Sequence, residues 1–220
     1  MIALARSGVE EGVWLRAERQ TQGRGRHGRS WSSPPTGNLY ASTIVRLRAS
    51  DPPAPTLALV AAVALEECVA AYLKRETLWL KWPNDLLLDG AKLSGILLER
   101  ADTAVVIGIG VNLADHPDLP DRRTTSLAEH SVAAGPAEFI ETLAGAFARW
   151  LGRWRGEGLA PVRARWLERA HPPGTALSAA SPDGGTIEGL FDGLDRDGAL
   201  ILRLADGTRR VIHAGDVFLL

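Results

Sequence analysis

The chain has 220 residues, with 25 Lys and Arg against 26 Asp and Glu, so its net charge is −1; 45% of its residues are apolar. That balance predicts an ordinary globular core and does not favour a protein that mainly wraps nucleic acid, since such proteins usually carry a basic excess. One cysteine, Cys68, excludes an internal disulfide and favours a reducing compartment, so we expect a cytoplasmic protein. We find no signal peptide, and the longest apolar-rich stretch, residues 57–73, contains two glutamates and is too short and polar to suit a membrane span.

The first third of the chain predicts short strands around one long helix. MIALARSG is typical of the end of a helix stopped by Gly8, and VWLRAER and NLYASTIVR are typical of strands. Residues 51–75 begin with prolines, continue with apolar residues at helical spacing and end in Lys74 and Arg75, which predicts a helix. Cys68 falls inside that pattern, so we interpret it as a small buried side chain rather than a nucleophile.

The middle of the chain predicts a sheet followed by two helices. LWLKW is a short strand ended by Pro83, and DLLLDGAKLSGILLER predicts a hairpin because the Asp89-Gly90 pair suits a turn with positive φ. TAVVIGIGVNL predicts a strand covered on both faces. PAEFIETLAGAFARWLGRWRGEG and LAPVRARWLERA predict helices. This order indicates an α+β fold with a mixed, mainly antiparallel sheet and flanking helices.

The end of the chain has a different pattern. HPPG at residues 171–174 breaks the helical register, and the short strands that follow are separated by the turn signals SPDGG, DRDGA and ADGTR. Residues 172–220 therefore predict a small all-β barrel joined to a larger domain at residues 1–171.

The stretch QTQGRGRHGRSW, residues 20–31, concentrates positive charge. Residues 16–29 contain five arginines and one glutamate, a local charge of +4 in a balanced protein. Glycines let backbone N–H groups approach an anion closely, and guanidinium groups match the geometry of carboxylates and phosphates. The alternatives are a flexible solvated linker or an Arg-Gly tether for nucleic acid.

A second polar group lies in KWPNDLLLDGAKLSGILLE, residues 81–99, where Lys81, Asn84 and Asp85 cluster at a strand end. A lysine in the apolar hairpin, Lys92, is costly unless a partner or ligand compensates its charge, although it could also be exposed on the turn side. Asp85 and Asn84 offer the oxygen ligands that Mg²⁺ needs, or they simply form a turn. Strict alternation predicts two faces of this strand: Lys92, Ser94 and Ile96 on one, and Leu93, Gly95 and Leu97 on the other.

A third group is GIGVNL, residues 108–113. Gly108 and Gly110 in a buried strand indicate a close approach to the backbone. Asn112 could contact a nucleotide or a metal-bound water, or it could be a cap or turn residue.

Together, GRGRHGRSW, SPPTGNLYAS, KWPNDLLLDGAKLSGILLE and GIGVNL resemble the motifs of the biotin–protein ligases, and the resemblance covers nearly the whole chain. It implies a class II synthetase-like catalytic domain at residues 1–171 and a C-terminal SH3-like barrel at 172–220. It also implies a two-step reaction that uses ATP and Mg²⁺. Biotin becomes biotinyl-5′-AMP with release of pyrophosphate, and a lysine of the biotin carboxyl carrier domain of acetyl-CoA carboxylase then takes the biotin.

The same resemblance implies roles for the Arg-Gly loop. Arg24 closes over the adenylate, Arg26 contacts the biotin carboxylate and the phosphates, and Arg29 holds the triphosphate. Gln20 and Gly23 line the biotin site.

For the rest of the chain, the resemblance implies that Lys92 bridges the biotin carboxylate and the α-phosphate and is the most important side chain. Gly95 gives biotin a backbone contact. Asn84, Asp85 and Asn112 serve the nucleotide, with Asp85 and Asn112 as ligands of Mg²⁺. Trp31 helps to form the adenine or biotin pocket.

Two departures from the family pattern lead to expectations. The family's catalytic domain opens with a Ser-Thr-Asn segment that binds biotin, and this chain begins after that point. We expect the native protein to start upstream, and the chain as printed to bind biotin weakly. We also expect no sequence-specific DNA binding, because no DNA-binding domain precedes the motifs, and no membrane association; a monomer and a homodimer both stay open.

Two rival functions remain. A lipoate–protein ligase shares the acyl-adenylate chemistry, although the GRGRHGR loop and the C-terminal barrel favour biotin. A non-catalytic nucleic-acid-binding module would use the Arg-Gly loop alone, and its affinity would fall steeply with salt.

Overall fold

The computed structural model describes residues 1–34, 37–73, 78–180 and 185–220. Six strands come from the first half of the chain: β1 (Trp14–Ala17), β2 (Leu39–Arg46), β3 (Leu78–Lys81), β4 (Asp85–Leu88), β5 (Ala91–Ala101) and β6 (Ala104–Val111). The α-helices within these described residues are α1 (Ile2–Arg6), α2 (Leu57–Ala70), α3 (Pro136–Glu157) and α4 (Ala160–Glu168). Five strands follow the helices: β7 (Ala176–Ala180), β8 (Thr186–Leu194), β9 (Leu200–Arg203), β10 (Arg209–Ile212) and β11 (Val217–Leu219).

The first six strands form one antiparallel sheet in the order β1-β2-β6-β5-β4-β3. β5 and β6 are long neighbours in its middle, paired from Ser94 with Val111 to Ala101 with Ala104. The predicted α+β class and mainly antiparallel sheet are confirmed. Helices α2, α3 and α4 pack against one another, and α2 and α3 also contact strands of this sheet.

The predicted hairpin between β4 and β5 is confirmed. Asp89 and Gly90 both adopt positive φ, 49° and 75°, as a two-residue primed turn requires. The strand after the turn is not regular, because the register shifts between Leu86 and Leu87, and residue 86 pairs with 94 whereas residue 87 pairs with 92. This β-bulge leaves one extra residue in β5.

The bulge makes the predicted alternation along β5 wrong. Leu93 and Ile96 both enter the apolar core, although alternation placed them on opposite faces. Lys92 instead shares a face with Gly95: a Cβ built on Gly95 would lie 3.4 Å from Lys92 Nζ. The extra residue shifts the alternation of side chains by one position, so Lys92 lies on the same face of the sheet as Gly95.

The helices differ in how they bury apolar surface. α2 is apolar almost all round and lies in the core, with Cys68 buried as predicted. The predicted end of this helix, at Lys74 and Arg75, lies outside the described residues. α3 buries one stripe of aromatic and aliphatic side chains, and α4 buries Val162 and Trp166. The short α1 ends before Gly8, whose φ of 91° agrees with the predicted helix stop.

The last five strands form a second antiparallel sheet in the order β10-β9-β8-β7-β11. The DRDGA and ADGTR turns are present, with Gly198 at φ 85° and Gly207 at φ 83°. Most of the predicted SPDGG turn lies outside the described residues. Within the described strands no pairing joins β10 to β11, so the predicted closure into a barrel is not seen.

Across the described ranges, no helix is both long enough and apolar enough to cross a membrane.

Candidate active site

The face of the six-stranded sheet that carries Lys92 and Gly95 borders a cavity of about 720 Å³. Its walls come from the N-terminal residues 1–3, the Arg-Gly loop, strands β2, β5 and β6, the turn at residues 81–85, the segment 117–124, and residues 216–218 at the start of β11. The cavity brings together ten of the eleven predicted site residues: Gln20, Arg24, Arg26, Arg29, Trp31, Asn84, Asp85, Lys92, Gly95 and Asn112. Gly23 does not line the cavity, but its carbonyl oxygen accepts the N–H of Trp31, which does, at 2.9 Å.

A buried carboxylate between two ammonium groups forms one end of the cavity. Asp85 Oδ1 accepts from Lys92 Nζ at 2.6 Å, and Asp85 Oδ2 accepts from Lys81 Nζ at 3.2 Å. Burial alone would raise the pKa of Asp85, but the charges of Lys92 and Lys81 outweigh burial and hold this pKa below its ordinary value. Burial lowers the pKa of Lys92, and the charge of Asp85 opposes that effect. The predicted need for a partner of Lys92 is therefore met by Asp85.

The backbone on both sides of Lys92 is also fixed. Lys92 N–H donates to the carbonyl of Arg123 at 2.9 Å, and Thr125 N–H donates to the carbonyl of Lys92 at 3.0 Å. Segment 123–125 therefore runs beside the bulge as a short parallel pairing. Asn112 supports the same segment, because its buried side-chain amide donates to the carbonyl of Thr125 at 3.0 Å.

Trp31 covers the central strands, and it can do so because two glycines lie beneath it. A Cβ on Gly110 would come within 2.5 Å of the Trp31 ring, and one on Gly95 within 3.0 Å. The predicted close backbone approach is therefore present at Gly110 but not at Gly108, where a Cβ would meet its nearest atom at 3.7 Å. Lys92 Nζ lies 5.8 Å from the ring centroid, which is within cation–π range.

The Arg-Gly loop is folded tightly rather than extended as a linker. Gly25 N–H donates to the carbonyl of Arg29 at 2.7 Å, and Arg24 forms a bridge with Ser30. A single turn of 3-10 helix, Arg26–Gly28, lies between them and contains His27 at φ 54°. The His27 side chain is 60% exposed.

The loop contacts the C-terminal sheet through its arginines. Arg29 Nη2 donates to Asp216 Oδ2 at 2.7 Å. Arg26 Nη1 donates to the carbonyl of Gly215 at 3.1 Å and lies 3.7 Å from Asp216 Oδ1. The loop that sequence reasoning assigned to anions therefore already holds one anionic group of the protein.

The predicted ligands are not well suited to bind Mg²⁺ in this structure. Both oxygens of Asp85 are already paired with lysines, which leaves that carboxylate little charge to offer a cation. No cluster of three or more His, Cys, Asp or Glu suited to a metal occurs among the described residues. Asn84 and the predicted ligand Asn112 donate through their amide nitrogens, to the carbonyls of Ile96 at 2.6 Å and Thr125 at 3.0 Å; these bonds do not engage the amide oxygens that a metal would need.

Comparison with known proteins connects this geometry to one group of enzymes. The sequence model of the Biotin/lipoate A/B protein ligase family matches residues 6–112, and that of the Biotin protein ligase C terminal domain matches residues 179–220. A biotin–[acetyl-CoA-carboxylase] ligase of Paracoccus denitrificans is 41% identical over 225 residues, an alignment that covers 96% of this chain and 92% of the relative. The chain belongs to the biotin protein ligase family.

Solved structures of biotin protein ligases have a similar fold. The enzyme from Aquifex aeolicus in complex with biotin and ATP has a TM-score of 0.87 at 24% identity, covering 99% of this chain and 94% of that one. The enzyme from Leishmania major in complex with biotinyl-5-AMP has a TM-score of 0.66 at 26% identity, covering 97% of this chain and 94% of that one.

Several charged residues that line this cavity were not predicted from the sequence, among them Asp216 and Arg122. Asp216 lies 187 positions after Arg29, in a segment without a chemical motif, so only the fold brings the two together. Arg122 also lines the cavity and pairs with its neighbour Asp121. Its position in a Pro- and Asp-rich loop gave no signal, although two adjacent arginines at residues 122–123 could have drawn attention.

Proposed function

We propose that this chain is an ATP-dependent biotin–[acetyl-CoA-carboxylase] ligase that activates biotin as biotinyl-5′-AMP. It then transfers the biotin to a lysine of the biotin carboxyl carrier domain, and AMP leaves. The observation that carries the proposal is the cavity itself, where Lys92, Arg24, Arg26 and Arg29 converge beside an aromatic wall. The relative from Paracoccus is named for acetyl-CoA carboxylase, which supports the carrier domain of that enzyme as the acceptor of biotin. The complex of the Leishmania enzyme with biotinyl-5-AMP supports this adenylate as the intermediate.

The cationic side chains of the cavity can offset the repulsion between the biotin carboxylate and the phosphates of ATP. In the first step an oxygen of the biotin carboxylate attacks the α-phosphorus of ATP, and the bond to pyrophosphate breaks. Negative charge develops on oxygens that already repel one another, so fixed cations aimed at them lower the barrier. No nucleophile from the protein is required, which agrees with the buried Cys68, whose pKa burial raises to about 12.

We assign Lys92 to the bridge between the biotin carboxylate and the α-phosphate. In the structure Lys92 is paired with Asp85, and Lys81 is paired with the second oxygen of the same carboxylate. Lys92 can therefore turn towards the substrates while Lys81 still neutralises Asp85. The ammonium group of Lys81 thus lowers the free-energy cost of leaving the buried Asp85 carboxylate without Lys92 while Lys92 contacts the substrates.

The remaining assignments divide the cavity between the two substrates. We propose that Gln20 and Gly95 line the biotin part, and that Gly23 supports it through the hydrogen bond that its carbonyl accepts from the N–H of Trp31. Arg24 and Arg26 close over the carboxylate and the adenylate, and Arg29 holds the triphosphate. For the nucleotide part, we propose Trp31 with Asn84, Asp85 and Asn112 as residues that shape it.

For the whole chain, we propose a catalytic domain at residues 1–171 and a C-terminal domain at residues 172–220. We propose that the five-stranded C-terminal sheet has the SH3-like arrangement. Sequence-specific DNA binding is not part of the proposed function.

The test is biotin-dependent exchange between ATP and labelled pyrophosphate, with the biotin concentration varied over a wide range. Exchange with biotin but not lipoate supports the proposal, and exchange with lipoate alone supports the rival ligase. Absence of exchange together with salt-sensitive binding of nucleic acid would indicate the non-catalytic rival.

Within that assay, we expect Lys92→Ala to lower the exchange rate by at least about 100-fold, because it removes a cation aimed at the developing charge. Lys81→Ala is the matched variant, since it removes the other ammonium group on Asp85; we expect a smaller loss. Near-normal exchange by a folded Lys92→Ala protein would contradict the role of Lys92.

A further inference from the structure

Two arginines and one histidine of the Arg-Gly loop surround one carboxylate of the C-terminal sheet. Arg29 donates to Asp216 at 2.7 Å, Arg26 lies 3.7 Å from it, and His27 Nε2 lies 3.9 Å from it. The Asp216 side chain is only 24% exposed, so these contacts are partly shielded from solvent. Charge-assisted pairs of this kind are stronger than those on an open surface.

The position of Asp216 is fixed by the sheet rather than by the loop. Its carbonyl oxygen accepts the N–H of Ala180 at 2.9 Å, and β11 begins at the next residue. Gly215 before it has a φ of 145° and passes so close to the carbonyl of Ala180 that a Cβ would not fit. The carboxylate is therefore presented to the loop by a rigid backbone.

This contact conflicts with the loop's part in the proposed function. Arg26 and Arg29 are the groups assigned to anionic oxygens of the substrates, and Asp216 lines the same cavity. A guanidinium group that is donating to Asp216 has fewer N–H groups for a phosphate, and a carboxylate beside the triphosphate repels it. The arginines cannot serve both anions fully at once.

We propose that Asp216 is an internal counter-anion, a positioning residue that holds Arg26 and Arg29 in the ligand-free protein and is displaced from them by the polyphosphate of ATP. The inference rests on the proposed function. The C-terminal sheet thereby competes with the nucleotide for the loop. ATP binds with full affinity only to molecules in which Arg26 and Arg29 are released from Asp216. The apparent affinity for ATP therefore falls as the fraction of molecules that keep the contact with Asp216 rises.

The test compares the KM for ATP with kcat in biotin-dependent exchange. We expect Asp216→Asn to lower the KM for ATP by about 3- to 10-fold, with a smaller change in kcat, because the competing charge is gone. Asp216→Ser should give the same result, and Asp216→Glu, which keeps the charge, should stay close to the wild type. A KM for ATP that is unchanged or raised in folded Asp216→Asn and Asp216→Ser proteins overturns the proposal.

The matched control is Asp192→Asn, which removes another carboxylate of the C-terminal sheet. Asp192 pairs with Arg209 at 2.6 Å and does not line the cavity. We expect its KM for ATP to equal that of the wild type. A fall in KM in both Asp216→Asn and Asp192→Asn would assign the effect to general loosening of the sheet and would overturn the specific role of Asp216.

A second measurement needs no catalytic activity. Without ligands, trypsin should cleave after Arg24, Arg26 or Arg29 faster in Asp216→Asn than in the wild type or Asp192→Asn, with cleavage sites mapped by mass spectrometry. Equal rates in all three proteins contradict the counter-anion. A wild-type protein without exchange refutes the proposed function, whereas the trypsin result still decides whether Asp216 holds the loop.

Discussion

At the scale of single residues, Asp85 matters because it is a buried charge with two partners. Its side chain is 9% exposed, and those of Lys92 and Lys81 are 17% and 16% exposed. Breaking such a set from one side is costly, because it leaves buried charges without compensation. The carboxylate is therefore needed for stability as well as for the placement of Lys92.

We expect Asp85→Asn to lower the free energy of unfolding at neutral pH by about 3–5 kcal/mol, since both ammonium groups lose their counter-charge. The folded-state pKa of Asp85 lies below its ordinary value of 3.8. The stabilisation is therefore complete above that pH and is lost as the pH falls through the folded-state pKa. Urea unfolding of both proteins at neutral and strongly acidic pH measures the difference, which should shrink in acid.

The comparison for this prediction is Asp192→Asn, which breaks an ion pair with Arg209, whose side chain is 70% exposed. We expect it to cost less than Asp85→Asn, because Arg209 can be hydrated after the change, although Asp192 itself is only 18% exposed. A difference between wild type and Asp85→Asn that stays constant down to the acid limit would show that charge is not the source of the stability.

Local sequence predicted some of these residue contacts and could not predict others. Lys92 in an apolar hairpin required a partner, and Asp85 lies seven positions away in the same motif. The contact between Arg29 and Asp216 depends on how the C-terminal sheet is placed against the catalytic residues. No nearby residue pattern specifies that placement, so the site was predicted without its internal anion.

At the scale of elements, the central strand β6 shows how backbone shape selects residues. Gly110 faces the ring of Trp31, where a side chain would overlap, whereas a Cβ on Gly108 would meet its nearest atom at 3.7 Å, an ordinary contact. The two glycines of GIG thus have different structural requirements although they look equivalent in the sequence.

We expect Gly110→Ala to displace Trp31 and to destabilise the protein by about 1–3 kcal/mol, the usual cost of forcing extra volume into a packed site. Gly108→Ala, in the same strand, should cost less than about 1 kcal/mol. Thermal unfolding measures both, and the position of the Trp31 indole in a crystal structure of each variant provides the direct check. Equal destabilisation would mean that the contact with Trp31 is not what restricts residue 110.

The strands also show why element prediction succeeded in outline and failed in detail. The Asp89-Gly90 turn is specified by two adjacent residues, so it was predicted correctly. At the bulge in β5, the backbone of Lys92 pairs with the segment 123–125, about thirty residues further along the chain. Period-two alternation contains no information about that pairing, and it placed Lys92 on the wrong side of the strand.

At the scale of the whole molecule, the two sheets share one apolar core. Phe191 of β8 packs edge-on against Trp166 of α4, with ring centroids 6.4 Å apart. Trp82 Nε1 donates to the carbonyl of Gly198 at 3.1 Å, across the same boundary. Residues of β8, β9 and β10 belong to the same buried cluster as those of α2 and β6. The proposed boundary near residue 172 therefore separates two sheets but not two independent cores.

We expect Phe191→Ala to destabilise the catalytic part of the chain together with the C-terminal sheet, by about 3–5 kcal/mol, as is usual for a buried aromatic side chain. Hydrogen exchange measures both sheets separately, and protection in β2 and β6 should fall by the same factor as protection in β8 and β9. Phe218→Ala is the matched variant for stability, because Phe218 lies in the same sheet but is 45% exposed, and it should change neither. If the two sheets share one core, loss of the buried Phe191 ring lowers the stability of every element that packs on that core. Loss of protection confined to β8 and β9 would therefore show that the two sheets unfold separately.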